Sequence, residues 1–139
     1  MVAVIVGTHG KFSQEIVRSS EMIFGKQENV GVVTFEPGEG ADGLVQKYTE
    51  VMKGLDCTQG VLFMVDLFGG SPFNAASRIA VNNENMDIVT GVSLPMLLEV
   101  YGSRSFLSVS ELVETAKNAA KDAVKSFKSS VEDNEEEEL

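Results

Sequence analysis

The sequence predicts an α/β domain: a doubly wound, mainly parallel sheet covered by helices on both faces, three layers in all. Three observations predict it. Apolar runs rich in β-branched residues recur at 2–6, 29–35, 60–66 and 86–92. They lack the in–out alternation of a half-exposed strand, so they suit strands covered on both sides. Helical patterns lie between them, and a β-α-β-α order implies parallel strands joined by crossover helices.

The elements follow in order. "VAVIV" (2–6) is the first strand, and "KFSQEIVRSSEMIFG" the first helix. That helix places Phe12, Ile16, Ile23 and Phe24 near one side and stops at Gly25. "NVGVVTF" (29–35) is the second strand. The helix in "ADGLVQKYTEVMKGL" places Leu44, Val45, Tyr48, Val51, Met52 and Leu55 on its apolar side. "GVLFMVD" (60–66) is the third strand. "SPFNAASRIAV" then opens a helix with Ser71 at the N-cap and Pro72 at the first helical position. After the fourth strand, "MDIVTGV" (86–92), Pro95 can open a helix in "SLPMLLEV". In "SVSELVETAKNAAKDAVKSF", Ser108 and Glu111 have capping-box spacing. Met22, Met52, Met64 and Met86 sit in apolar segments and read as core filler.

Composition narrows the function classes. The chain of 139 residues, 43% hydrophobic and 23% charged, fits one globular domain. No apolar run reaches membrane-helix length, and "MVAVIV" is too short for a signal peptide. The net charge is −10, but "SSVEDNEEEEL" at the end holds six acids and no base. Residues 1–128 form the expected domain, with 11 basic and 15 acidic residues. Residues 129–139 are expected to be a disordered acidic tail. With no basic cluster, nucleic acid is excluded as a partner. One cysteine, Cys57, and one histidine, His9, make no metal-ligand set and imply no cofactor. The lone thiol fits a cytoplasmic protein.

Ligands of open α/β sheets bind beyond the carboxyl ends of the strands, where strand order reverses. In the common small order, strands one and three are neighbours there, about 4.8 Å apart. The residues just past them are "GTHG" and "DLFGGSPFNAAS". His9 would thus lie within reach of Asp66. A carboxylate accepting from one ring nitrogen fixes the tautomer and leaves the other nitrogen a nucleophile. Gly69 and Gly70 allow close backbone approach, and a helix starting at Ser71 offers free N–H groups to an anion. The candidate phosphate-binding residues are Thr8, Gly69, Gly70, Ser71 and Phe73; Pro72 has no N–H to give. The chemistry these residues suggest is phosphoryl transfer onto and off His9.

"VIVGTHG", "NVGVVTFEPGE", "KGLD…GVLFMVDLFGGSPFNAASRIA" and "VTGVSLPMLLE" closely resemble the IIA component of the mannose-type sugar phosphotransferase system, over residues 1 to about 127. The resemblance implies a cytoplasmic phosphotransferase, peripheral to a membrane permease. Its histidine, matching His9, would be phosphorylated on Nε2 by phospho-HPr and would pass the group to a IIB component. The IIC and IID permease partners would be engaged indirectly. Asp66 matches the orienting aspartate, and Ser71 matches a serine of the phosphate site. The resemblance also implies a homodimer in which a C-terminal segment, here "AVKSF" (123–127), is exchanged as an antiparallel strand. Read alone, those residues would be the last turn of the helix. Some relatives continue through an Ala/Pro-rich hinge into IIB, whereas an acidic run follows here. That departure implies a stand-alone IIA or one cut from a longer chain.

Other readings compete with these. "GEGADG" (38–43) fits G-x-G-x-x-G, but it follows the second strand, and Glu39 and Asp42 would repel a pyrophosphate. A two-component receiver would also place an aspartate at Asp66, but it needs an acidic cluster after strand one. Arg78 reads as a surface arginine, with contact to a phosphorylated partner as the sharper alternative. Pro95, Met96 and Leu97 are either an apolar docking rim or plain packing. The rival functions are a regulatory module that senses phosphate or another anion at the same site, and a dimeric adaptor.

Overall fold

The computed structural model describes residues 1–131, and among these four strands alternate with helices as the pattern predicts. The elements are β1 (Ala3–His9), α1 (Phe12–Phe24), β2 (Val30–Phe35), α2 (Ala41–Lys53), β3 (Val61–Val65), α3 (Ser71–Ala80), β4 (Met86–Val89), α4 (Leu94–Ser103) and α5 (Val109–Asp122). Every strand pairing is parallel, in the order β2-β1-β3-β4. The chain leaves β1 toward β2 on one side and later returns to β3 on the other. The strand order therefore reverses between β1 and β3.

The apolar runs of β1 and β3 are buried because each of these central strands feeds two cores, whereas the edge strands β2 and β4 are mostly half-buried. Val4, Val6, Leu62 and Met64 pack with residues of α1, α4 and α5. Ala3, Ile5, Val61 and Phe63 pack on the other face with residues of α2 and α3. Alternate side chains of a strand point to opposite faces, so a strand apolar at every position needs both layers.

Helix α1 departs from its predicted face. Phe12, Ile23 and Phe24 are 46%, 61% and 47% exposed, whereas Ser13, Ile16 and Ser20 are buried. Small hydroxyl residues let the helix lie close to its neighbours, and each hydroxyl is bonded. Ser13 Oγ donates to Val33 O at 2.9 Å, and Ser20 Oγ donates to Val17 O and pairs with Tyr101 Oη. Met22 also lies outside the core, at 89% exposure, while Met64 is fully buried.

At α5 the capping box forms as expected: Glu111 N–H donates to Ser108 Oγ, and Ser108 N–H to Glu111 Oε1. The helix ends at Asp122 and does not run on to 127. Residues 124–126 are irregular, and 127–131 form one helical turn, so 123–127 is not a strand within this chain. Of the expected acidic tail, 129–131 belong to that turn and 132–139 lie outside the described residues.

At the amino ends of the strands, Arg104 is buried at 2% exposure. Its guanidinium donates to Val2 O, Asn29 O, Glu28 O and Gln27 Oε1, all neutral oxygens. Its own N–H and C=O complete the α4 ladder and receive Val2 N–H. One side chain thus joins the starts of β1 and β2 to the end of α4. Arg104→Met keeps the apolar stem but strands these acceptors, each costing about 1–3 kcal/mol. Urea unfolding should show a loss of about 3 kcal/mol or more. A loss under about 1 kcal/mol would show that water replaces the guanidinium freely.

Candidate functional site

The sheet itself builds the site. Gly7 pairs with Val65 in register, so the residues just beyond each meet at the carboxyl edge. His9 Nδ1 lies 3.0 Å from Asp66 Oδ2, and the His9 backbone N–H donates to the same oxygen at 3.1 Å. Leu67 N–H donates to Oδ1 at 3.0 Å. The carboxylate is thereby held at both oxygens, and the imidazole is held at one end. A carboxylate only accepts, so Nδ1 carries the ring proton and Nε2 of the neutral ring presents a lone pair. The ring stays 46% exposed while Asp66 is 17% exposed, which leaves Nε2 open to a reactant. Phe35 meets the ring edge-on, centroids 5.7 Å apart. Gly10, at φ +57°, turns the chain away, and its N–H bonds Phe35 O at 2.7 Å.

On the other side of the imidazole stands the start of α3. A Cβ on Gly70 would lie 2.8 Å from His9 Cε1 and 3.4 Å from Nε2. Gly70 thus faces the nucleophilic edge of the ring with bare backbone. It is the N-cap of α3, with Ser71 and Pro72 as the first two helical residues, so the helix starts one residue earlier than the sequence suggests. The first N–H groups of a helix have no acceptor within it, so those of Ser71 and Phe73 are free for an anion. Gly69 adopts φ +80°, a conformation that favours glycine, and its carbonyl accepts from Asn74 Nδ2 at 3.0 Å. Asn74 is a site residue that sequence reasoning missed. A polar residue three places into a helix has no signal until the fold shows the carbonyl it reaches.

Not every candidate converges. The Thr8 side chain is fully buried beneath the strand tip. Its hydroxyl accepts from Ser13 N–H at 2.6 Å and donates to His9 O at 3.1 Å, so it is committed to starting α1 and not to an anion. Arg78 pairs with Asp42 at 2.9 Å, which fits the surface reading. In the 38–43 loop, Lys47 and the Glu36 N–H hold the Glu39 carboxyl below its usual range, Lys47 having the larger effect. Both acids of that loop are taken up by cations, Glu39 by Lys47 and Asp42 by Arg78, and its Gly40 is the N-cap of α2. Met96 and Leu97 are buried and form no rim. The exposed apolar residues beside the site are Leu67 and Phe68, 59% and 80% exposed, with Phe68 tilted onto Phe73 at 4.7 Å.

A family model described as the fructose IIA component of the phosphotransferase system (PTS) matches residues 3–117. The chain is 45% identical over 128 residues to the mannose-specific EIIAB component of Escherichia coli (strain K12), covering 91% of this chain and 40% of that protein. It thus spans well under half the length of that relative. It is 41% identical over 117 residues to the fructose-specific EIIA component of Bacillus subtilis (strain 168), covering 84% of this chain and 80% of that one. Among solved structures, the PTS component EIIA from Streptococcus agalactiae superposes with a TM-score of 0.84 at 27% identity, covering 93% and 99% of the two chains. The mannose/sorbose specific IIA subunit from Enterococcus faecalis gives 0.82 at 25% identity, covering 91% and 94%.

Gly70 has φ −75°, which any residue adopts, so alanine there adds only a collision with the imidazole. Gly70→Ala should melt within a few degrees of wild type while displacing the ring resonances of the sole histidine in an NMR spectrum. Unshifted resonances would show that the close approach does not constrain the ring.

Proposed function

This chain belongs to the IIA family of the mannose- and fructose-type phosphotransferase system, and from that premise we propose that it is a phosphoryl carrier working through His9. The donor is phospho-HPr and the acceptor a histidine of a IIB component. The observation that carries the reading is His9 held by Asp66 at Nδ1, with its Nε2 edge facing the N-terminus of α3.

The Nε2 lone pair attacks the phosphorus of the donor's phosphohistidine in line with the breaking P–N bond. The electron pair of that bond returns to the donor imidazole. No proton leaves His9. Nδ1 keeps its hydrogen against Asp66, and the ring becomes an N-phosphoryl imidazolium whose positive charge the carboxylate faces. The N–H groups of Gly70, Ser71 and Phe73, with the Ser71 hydroxyl, steady the phosphoryl oxygens, and Gly69 supplies the turn that presents them. Delivery to IIB reverses the same geometry. Most of the barrier lowering comes from holding two imidazoles around one phosphorus.

Leu67 and Phe68 supply a small apolar rim for both partners, whose contacts must be brief. Among the described residues no helix is long and apolar enough to cross a membrane, which agrees with a carrier acting beside the IIC/IID permease at its cytoplasmic face. The outer edge of β4 has no strand paired to it among the described residues, and Val124 and Phe127 are 83% and 78% exposed. These features support a homodimer in which residues 123–127 of each chain pair with the partner's β4.

Incubation with phosphoenolpyruvate, enzyme I and HPr should add one acid-labile phosphoryl group of about 80 Da, read by intact mass. His9→Gln should add none. A wild type that stays unmodified beside active HPr contradicts the carrier role. Asp66→Asn should slow acceptance about 10- to 100-fold, the scale on which lost orientation costs transfer, with phosphorylation still confined to His9. A fully active Asp66→Asn protein would remove Asp66 from the mechanism.

A further inference from the structure

The Tyr48 hydroxyl lies where α2, α3 and the tip of β1 meet, and the transfer chemistry above does not use it. Tyr48 is fully buried, its ring edge-on to Phe63 with centroids 5.3 Å apart. It occupies room that Gly7 leaves. A Cβ on Gly7 would overlap the hydroxyl oxygen and lie 2.8 Å from Cζ. Gly7 has no left-handed φ, so glycine is required there for space and not for backbone conformation. Strand β1 therefore gives up a side chain two residues before His9 to admit this ring.

The hydroxyl donates to Pro72 O at 2.9 Å. Pro72 is the second residue of α3, and its carbonyl also serves the helix ladder. The carbonyl thus has a partner without Tyr48, whereas a buried hydroxyl needs an acceptor. The acceptor it uses is in the helical turn that faces His9. Burial, and next the charge of Asp66, push the phenol far above its ordinary pKa, so it remains a neutral donor at any physiological pH.

We propose that Tyr48 is a positioning residue for phosphoryl transfer: seated on Gly7 and bonded to Pro72, it sets the gap between the strand tip bearing His9 and the N–H groups that open α3. The proposal rests on the phosphoryl-carrier reading. A displacement of the order of an ångström at a reacting centre costs up to about 100-fold in rate, and this hydroxyl is the direct strut between the two parts that must not move apart.

Tyr48→Phe keeps the ring and its Phe63 contact and removes only the strut. In single-turnover transfer from phospho-HPr, its maximal rate should fall about tenfold. The half-saturating donor concentration should stay within twofold, because Leu67 and Phe68 are untouched. Inorganic phosphate titrated against the Ser71 and Phe73 amides by NMR should bind severalfold more weakly than to wild type. A variant that melts earlier yet transfers at the wild-type maximal rate and binds phosphate equally overturns the proposal, because a merely structural hydroxyl does just that. If Tyr48→Phe does not fold, 4-fluorophenylalanine at position 48 fills the oxygen's place without a proton to give, and the same two results decide. A wild type that accepts nothing from active phospho-HPr sinks the carrier reading instead. The phosphate titration then judges Tyr48 by itself, and equal affinities overturn it.

Discussion

The parallel pairing of β1 with β3 is the constraint on which the rest of the molecule depends. It brings the ends of two strands together although His9 and Asp66 lie 57 positions apart along the chain. The carboxylate does not merely approach the imidazole. It takes both the backbone N–H and Nδ1 of His9 on one oxygen, and Leu67 N–H on the other. The ring can then hardly swing without breaking a bond that the sheet itself positions. The β1–β2 and β3–β4 pairings flank this seam, and Ala3–Val6 of β1 and all of β3 are buried apolar residues because helices cover both faces.

Two missing side chains complete the site, for related reasons. At Gly70 the absent Cβ lets the His9 ring lie against the cap of α3. At Gly7 the absent Cβ lets Tyr48 reach under the strand tip to Pro72. The first sets the distance from the His9 ring to the start of α3 within the crevice. The second sets the same distance from beneath. Each removes a few atoms so that an aromatic ring on another element can take a fixed place. Thr8 serves the same end by committing its hydroxyl to Ser13 N–H, which starts α1 immediately after the His9 turn. Asn74 does so by holding the Gly69 carbonyl.

Much of this was legible in the sequence. Continuous apolar runs marked the strands, Ser108 with Glu111 marked the start of α5, and the residues after strands one and three marked the crevice. Apolar pattern cannot see what lies beyond it. Ser13 and Ser20 are buried and Phe12 and Ile23 are not, because close packing and hydroxyl bonds decide the face of α1. Arg104 would be assigned to the surface by type, yet it bonds backbone oxygens as many as 102 positions away. Tyr48 reads as ordinary core filler, and only the fold shows that its hydroxyl ends at α3. For 123–127 the apolar pattern predicts the last turn of a helix and the resemblance an exchanged strand, yet α5 stops at Asp122 and within this chain the segment continues neither the helix nor the sheet.

The ring nitrogen that bears the phosphoryl group tests the central claim most directly. With one histidine in 139 residues, the nitrogen and phosphorus NMR signals of the phosphorylated protein are assigned without ambiguity. Phosphorus coupled to Nε2, with Nδ1 still protonated against Asp66, is the result that follows from this site. Phosphorus on Nδ1 would mean that the reaction displaces the carboxylate, and it would contradict both Asp66 as the orienting group and α3 as the phosphate cradle.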